Sequence, residues 1–186
     1  MNKQYYISEA KRAANIQINE LKKIKKIFNK SFIKAVDLIL NCKGKIIFAG
    51  IGKSGLIARK ISATFSSVGI PSFFCDPAQA LHGDMGQIEK KDILIIFSYS
   101  GNTSELTNMI KYANRYNIKI IGIASKPDSI LLKASDIKLI LPKVKESDVT
   151  GMVPTSSTSI TLLLGDCLAT TICLLYTSDA ADERNS

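Results

Sequence analysis

The chain has 186 residues, a formal net charge of +9 and no tryptophan. This length suits one domain with a hydrophobic core, because two domains of ordinary size would need more residues. The longest apolar runs, such as Ile93–Phe97 and Leu162–Leu164, are far shorter than the roughly 20 residues of a membrane span. We therefore predict no membrane segment. Residues 1–6 lack the apolar stretch of a secretory signal, so we expect a cytoplasmic protein.

The cysteines and the histidine limit the metal chemistry that the chain can support. No C-x-x-C pair occurs, and a thiol in apolar surroundings behaves as a small hydrophobe, so we expect neither disulfides nor structural zinc. The single histidine excludes a histidine-based metal cluster. We predict no metal site. The four cysteines are Cys42, Cys75, Cys167 and Cys173.

The positive charge is concentrated near the N-terminus. Residues 1–60 hold 14 Lys and Arg against 3 Asp and Glu, whereas residues 61–186 hold 11 against 13. A basic face could attract nucleic acid. The lysines between residues 22 and 26 have no interleaved arginine or aromatic residue and fall beside helical apolar positions, which favours a solvated helix face. We predict no nucleic-acid partner, although the same charge would favour a small anionic substrate.

Residues 1–42 are predicted to form N-terminal helices that pack on the domain or on a neighbouring subunit. Between Ile7 and Leu40, apolar residues recur at spacings of three and four. Ser31 is a candidate N-cap for a second helix.

From residue 43 to residue 175 the pattern changes to βαβ units. Short apolar runs alternate with helix-length segments, which predicts a doubly wound α/β domain with a five-stranded parallel sheet in the flavodoxin-like order 2-1-3-4-5. The predicted strands are 45–49, 72–75, 93–98, 119–123 and 137–141. The predicted helices are 54–68, 103–116, 129–134 and 155–175. The last helix should stop at Tyr176, and we expect residues 176–186 to be a disordered or foreign polar tail.

The turn Gly50-Ile-Gly-Lys-Ser-Gly55 follows the first strand and is the first candidate anion site. Its glycines allow a ligand to approach the backbone, and Lys53 adds a cation. The Walker A spacing fails. Gly50, Gly52 and Gly55 do fit G-x-G-x-x-G, so a dinucleotide site stays open, with Asp76 as its acidic residue.

Two hydroxyl-rich segments also begin helices. Ser98-Tyr-Ser-Gly-Asn-Thr-Ser-Glu105 follows the third strand, and Thr155–Ser159 opens the last helix. Each could be an ordinary helix cap, but one cap uses one hydroxyl, so the surplus favours a phosphate ligand. In the order 2-1-3-4-5, the turns after strands one and three meet at the switch point where ligands bind.

These motifs resemble the sugar isomerase (SIS) domain, and within it the D-arabinose-5-phosphate isomerases, over about residues 5–175. The resemblance rests on the two turns above together with Ala80-Leu-His-Gly-Asp-Met-Gly86, Pro154-Thr-Ser-Ser-Thr158 and Leu164-Gly-Asp166. It implies interconversion of D-ribulose 5-phosphate and D-arabinose 5-phosphate through an enediol, without an organic cofactor. The reaction lies on the route to Kdo in lipopolysaccharide or capsule, and the enzyme is expected to be a homotetramer. The alternatives are a non-catalytic phosphosugar sensor and an isomerase of hexose or heptose phosphates.

The resemblance also assigns roles to residues. It implies catalytic positions at Lys53, Glu105 and Glu146. Lys53 could instead be only a phosphate counter-charge, Glu105 could serve the helix dipole, and Glu146 could be a solvated loop charge. The family's His-Pro-Gly-Gly segment and CBS modules do not follow the last helix, so we expect substrate binding with poor turnover. Asp76 replaces a metal-contacting histidine, so the family's inhibitory zinc should bind weakly. The implied substrate-binding residues are Gly52, Ser54, His82, Ser98, Ser100, Gly101, Asn102, Thr103, Thr155, Ser156 and Ser157.

Overall fold

Five parallel strands form the central sheet, in the order β2-β1-β3-β4-β5. The computed structural model describes residues 3–182, with side chains through residue 176. The order and the parallel pairing confirm the predicted doubly wound sheet. Each observed strand end lies within one residue of its prediction. The strands are β1 (Ile46–Gly50), β2 (Ser72–Phe74), β3 (Ile93–Phe97), β4 (Lys119–Ala124) and β5 (Ile137–Ile140).

Six α-helices of the described chain surround the sheet. A 3₁₀ segment, Lys22–Ile27, extends the first helix, and further 3₁₀ turns cover Ala80–His82, Asp84–Gln87 and Ser104–Leu106. The helices are α1 (Lys3–Leu21), α2 (Lys30–Leu40), α3 (Gly52–Ser67), α4 (Thr107–Arg115), α5 (Ile130–Ala134) and α6 (Ser156–Asp182).

Three predicted helix ends are wrong. Helix α4 begins at Thr107, after the 3₁₀ turn Ser104–Leu106, and not at Thr103. The N-cap of α2 is Asn29, whose side-chain oxygen accepts the N–H of Ser31 at 2.8 Å, so Ser31 is the second residue of the helix rather than its cap. Helix α6 does not stop at Tyr176 but continues to Asp182. Residues 183–186 of the predicted tail lie outside the described residues, and the tail's foreign origin stays a prediction.

The sheet is buried on both faces, which explains its continuous apolar strands. Alternate residues of β1 point to opposite sides: Ile46 and Phe48 pack with α2, α3 and α6, whereas Ile47 and Ala49 pack with α4 and α5. Because α3 follows β1 and α4 follows β3, the chain leaves these neighbouring strands toward opposite faces. A crevice therefore opens between their carboxyl ends.

The Ser156–Tyr176 stretch of α6 is long and apolar enough to cross a membrane by length and composition alone. Counting continuous apolar residues missed this, because hydroxyls and glycine interrupt the stretch. In the fold, Ile160, Leu164, Leu168 and Ile172 lie in the core beside α3. We interpret α6 as a core helix of the domain.

Candidate functional site

A pocket of about 320 Å³ opens where the turn after β1 meets the turn after β3. The structure thus brings together the two segments that the strand order predicted to converge. The loop before α6 and the first turns of α6 complete the walls. The wall residues are Ile51, Lys53, Ser54, Ile57, Ser98, Tyr99, Ser100, Thr103, Glu146, Pro154, Ser157, Thr158 and Thr161.

The turn after β1, Gly50–Gly55, is called the glycine–lysine turn, and its backbone is closely packed. A Cβ at Gly50 would lie 2.9 Å from the Ser54 carbonyl, and one at Gly55 would lie 2.6 Å from the Gly50 oxygen, so both positions need glycine for packing. Gly52 lies in the turn but lines a neighbouring depression instead of this pocket. Lys53 is exposed at the pocket, and none of the described carboxylates lies within 4.0 Å of its amine. It is an unneutralised cation available to an anion.

The turn after β3, Ser98–Glu105, is called the serine turn, and hydrogen bonds within the turn fix its conformation. Ser98 Oγ lies 2.8 Å from Thr103 Oγ1 and accepts the Gly101 N–H at 3.1 Å. Ser100 Oγ accepts the Asn102 N–H at 3.3 Å. The Ser100 and Thr103 side chains lie in the pocket wall, just before the 3₁₀ turn Ser104–Leu106 that leads into α4. Hydroxyl donors at such a position suit phosphate oxygens.

Gly101 and Asn102, both predicted to bind substrate, have structural contacts instead of places in the pocket wall. Gly101 is buried with φ +69, and a Cβ there would overlap Ser129. The Asn102 side chain accepts the N–H of Ile130 at 2.9 Å and so caps the start of α5. Both residues therefore support the conformation of the serine turn on the side that faces α5.

Glu146 is the carboxylate in the pocket wall. Its Oε2 accepts the N–H of Thr155 at 2.7 Å, the hydroxyl of Thr155 at 2.9 Å and the N–H of Ser157 at 3.3 Å. Partial burial acts to raise the pKa of Glu146, but the hydrogen bonds from Ser157 and Thr155 outweigh it, and the pKa lies below its ordinary value. Glu146 is therefore ionised at neutral pH, the form in which a carboxylate can accept a proton.

The hydroxyl side chains at the start of α6 differ in their surroundings. Ser157 and Thr158 line the pocket. Thr155 holds Glu146, and Ser159 donates to Gln17 of α1 at 3.2 Å. Ser156 is fully buried, and its Oγ has no hydrogen-bond partner among the described residues. Of the predicted Thr155, Ser156 and Ser157, only Ser157 faces the pocket.

Helix α1 forms hydrogen bonds to the residues on both sides of Glu146. The sequence did not indicate these contacts. Glu20 accepts the Lys145 N–H at 3.0 Å. On the other side, Arg12 donates to the Ser147 carbonyl and Gln17 to the Ser147 hydroxyl, both at 3.3 Å. The N-terminal helix therefore takes part in positioning the site.

Tyr99 was also missed as a site residue, although it lies inside the serine turn. Its hydroxyl donates to the Pro142 carbonyl at 3.3 Å and accepts the Val144 N–H at 3.0 Å. Burial raises the pKa of Tyr99. The half-buried ring thus ties the serine turn to the segment that carries Glu146.

Glu105 and His82 lie outside the pocket wall. Glu105 is exposed and accepts a hydrogen bond from Ser104 at 2.8 Å; a hydrogen bond from its own backbone N–H and this one lower its pKa. This geometry fits a helix-start charge. His82 is exposed at the end of a 3₁₀ turn. Their predicted roles stay predictions. Within residues 3–176, no three His, Cys, Asp or Glu side chains are grouped to hold a metal ion.

The fold and the pocket define a doubly wound α/β domain with a crevice at its switch point, lined by hydroxyls, a lysine and a carboxylate. The profile of the SIS domain family matches residues 39–171, and the chain belongs to this family.

The chain is similar in sequence to proteins named arabinose 5-phosphate isomerase. The arabinose 5-phosphate isomerase of Escherichia coli strain K12 is 42% identical over 149 residues, which are 80% of this chain and 45% of that protein. The enzyme of the same name from Pseudomonas aeruginosa is 38% identical, over 88% of this chain and 50% of its own length. The chain thus spans about half the length of the curated relatives it matches. A solved structure of an E. coli CFT073 protein in complex with arabinose 5-phosphate is 31% identical, with a TM-score of 0.91 over 95% of this chain and 94% of that one.

Proposed function

We propose that this chain is the sugar-phosphate-binding, catalytic part of an arabinose 5-phosphate isomerase. The observation that carries the proposal is the meeting of Lys53, Glu146 and the serine turn in one pocket. The named relatives support it, and so does the similar structure that holds arabinose 5-phosphate.

The serine turn would hold the phosphate. The hydroxyls of Ser100 and Thr103 line the pocket next to the start of a helix. The Ser98 hydroxyl stabilises the turn through its hydrogen bonds with Thr103 and Gly101. Lys53 adds positive charge to the pocket, which favours an anionic substrate. We assign the phosphate to Ser98, Ser100 and Thr103, and the sugar chain to the space between Lys53 and Glu146.

Glu146 would move the proton. An aldose–ketose isomerisation removes a proton from one carbon next to the carbonyl group and returns it to the former carbonyl carbon. Ionised Glu146 can take the proton from C1 of D-ribulose 5-phosphate, which leaves an enediolate. The O1 hydroxyl proton then passes to O2, and Glu146, whose carboxyl proton exchanges with solvent, protonates C2, which leaves the aldehyde at C1 of D-arabinose 5-phosphate. Lys53 would stabilise the oxygen that carries negative charge in the enediolate.

A turnover experiment in deuterated water tests this proposal. The chain, incubated with D-ribulose 5-phosphate, should slowly form D-arabinose 5-phosphate with deuterium at C2, as followed by NMR. Glu146→Gln should slow this reaction by about 10²- to 10⁴-fold, the usual size of a general-base effect, and should still bind the substrate. Glu89→Gln, which changes a carboxylate outside the pocket wall, is the matched control.

Two outcomes would contradict the proposal. One is binding of ribulose 5-phosphate with no deuterium exchange at all, which would favour a phosphosugar sensor. The other is a larger thermal stabilisation by hexose or heptose phosphates than by pentose phosphates, since stabilisation by a ligand grows with its saturation of the site.

A further inference from the structure

A second pocket, also of about 320 Å³, lies beside the first. Tyr99 and Ser100 belong to the walls of both. We call it the lysine pocket, and its walls are Tyr99, Ser100, Ser125, Lys126, Lys143 and Val144. It lies past the carboxyl ends of β3, β4 and β5, at the same edge of the sheet as the main pocket.

The lysine pocket carries uncompensated positive charge. Lys126 and Lys143 are exposed, and no carboxylate of the described chain lies within 4.0 Å of either amine. No Asp or Glu is among the wall residues. The nearby Glu20 is engaged, because it pairs with Lys23 and accepts the Lys145 N–H. Two ammonium groups therefore face a cavity without a counter-charge.

The hydroxyls of the lysine pocket are not equivalent. Tyr99 donates its proton to the Pro142 carbonyl, and Ser125 donates to the Tyr99 carbonyl at 2.7 Å. The Ser100 hydroxyl accepts from Asn102 and donates to no acceptor among the described residues. Because the Ser100 proton is assigned to the first phosphate, the groups able to donate to a second acid group are Lys126 and Lys143, and two ammonium groups match an anion.

We propose that the lysine pocket is a second anion subsite. This rests on the proposed function, because the first anion is the phosphate held at the serine turn. The ligand would be a pentose phosphate with a second acid group, such as a sugar bisphosphate. One phosphate lies at Ser98, Ser100 and Thr103, the chain passes Ser100, and the second acid group lies between Lys126 and Lys143. Such a compound would compete with the substrate.

Isothermal titration of D-ribulose 5-phosphate and D-ribulose 1,5-bisphosphate tests the inference. The wild-type chain should bind the bisphosphate about five times more tightly, since exposed ion pairs are individually weak. Lys126→Ala/Lys143→Ala should abolish this preference and leave monophosphate binding unchanged. Lys133→Ala/Lys138→Ala removes two lysines that line neither pocket, and should keep the preference. Raising the salt concentration should reduce the preference, because exposed charges are screened.

The outcomes separate this inference from the proposed function. If the chain binds neither compound, the proposed function fails. If it binds the monophosphate but shows no preference for the bisphosphate, or if the Lys126→Ala/Lys143→Ala variant keeps the preference, the second subsite is overturned.

Discussion

Glu20 of α1 accepts the backbone N–H of Lys145 at 3.0 Å, and Lys145 directly precedes the pocket carboxylate Glu146. A hydrogen bond from Lys23, which acts against burial, lowers the pKa of Glu20 and keeps it charged. The residues that the sequence placed in a separate N-terminal helical segment thus contact the backbone that carries the site.

Glu20→Ala should loosen the segment around Glu146. The Lys145 N–H would lose its partner, and small displacements of a catalytic group are costly in rate. We expect kcat for isomerisation to fall about tenfold with little change in KM, as measured by steady-state kinetics. Glu20→Gln keeps an acceptor oxygen and should retain most of the activity. Equal losses in both variants would contradict a positioning role for this hydrogen bond.

Tyr99→Phe should have a related effect from the opposite side. It removes a hydroxyl that bonds to Pro142 and Val144 while keeping the ring. We expect a loss of about 1–2 kcal/mol in the free energy of unfolding, by urea titration, since two hydrogen bonds are lost. Tyr116→Phe, at an exposed tyrosine, is the control and should change stability little. Unchanged stability of Tyr99→Phe would show that the bridge does not hold the two segments together.

Gly101→Ala should destabilise the domain strongly. Gly101 has φ +69, and a methyl group would overlap Ser129, so both strain and overpacking oppose the change. We expect a cost of about 2–4 kcal/mol in the free energy of unfolding. Gly86→Ala is the matched control, because its added methyl would have no heavy atom of the described residues within 4 Å, apart from its own chain neighbours. A cost for Gly101→Ala no larger than that of the control would contradict the described turn.

Thr155→Val should raise the pKa of Glu146. The Thr155 hydroxyl donates to Glu146 Oε2 at 2.9 Å and stabilises the ionised carboxylate, so its removal favours the protonated form. Carboxyl ¹³C NMR titration should show Glu146 below its ordinary pKa in the wild type and higher in the variant. Thr170→Val, at an exposed residue of α6, should leave the Glu146 titration unchanged.

The lowered pKa of Glu146 also makes the stability of the domain depend on pH. Because folding lowers this pKa, the contribution of Glu146 is present above the pKa of the unfolded chain and is lost as the pH falls through the lower folded value. Unfolding measurements from neutral to acidic pH should show a smaller acid-dependent loss in Thr155→Val. A larger loss in this variant would contradict a Glu146 pKa that folding lowers.

The sheet and the meeting of its two turns could be predicted because both follow from local patterns. Continuous apolar runs such as Ile93–Phe97 define buried strands, and the strand order fixes which turns meet. Lys53, Ser100 and Thr103 reach the pocket because they belong to those turns.

The remaining site residues depend on contacts between distant parts of the chain. No periodicity indicates that Glu20 would bond to Lys145, or that Asn102 would cap α5 instead of facing a ligand. Tyr99 carried a weak signal, since it stands between two serines of the predicted phosphate turn. Hydroxyl content alone also could not separate Ser157, in the pocket wall, from buried Ser156.

A crystal structure of the Glu146→Gln variant with D-arabinose 5-phosphate would test the central claim most directly. We predict the phosphate within hydrogen-bond distance of the Ser100 and Thr103 hydroxyls, the Lys53 amine beside the sugar oxygens, and residue 146 facing C1 and C2. A phosphate bound away from the serine turn, or a sugar chain that contacts neither Lys53 nor residue 146, would contradict the account.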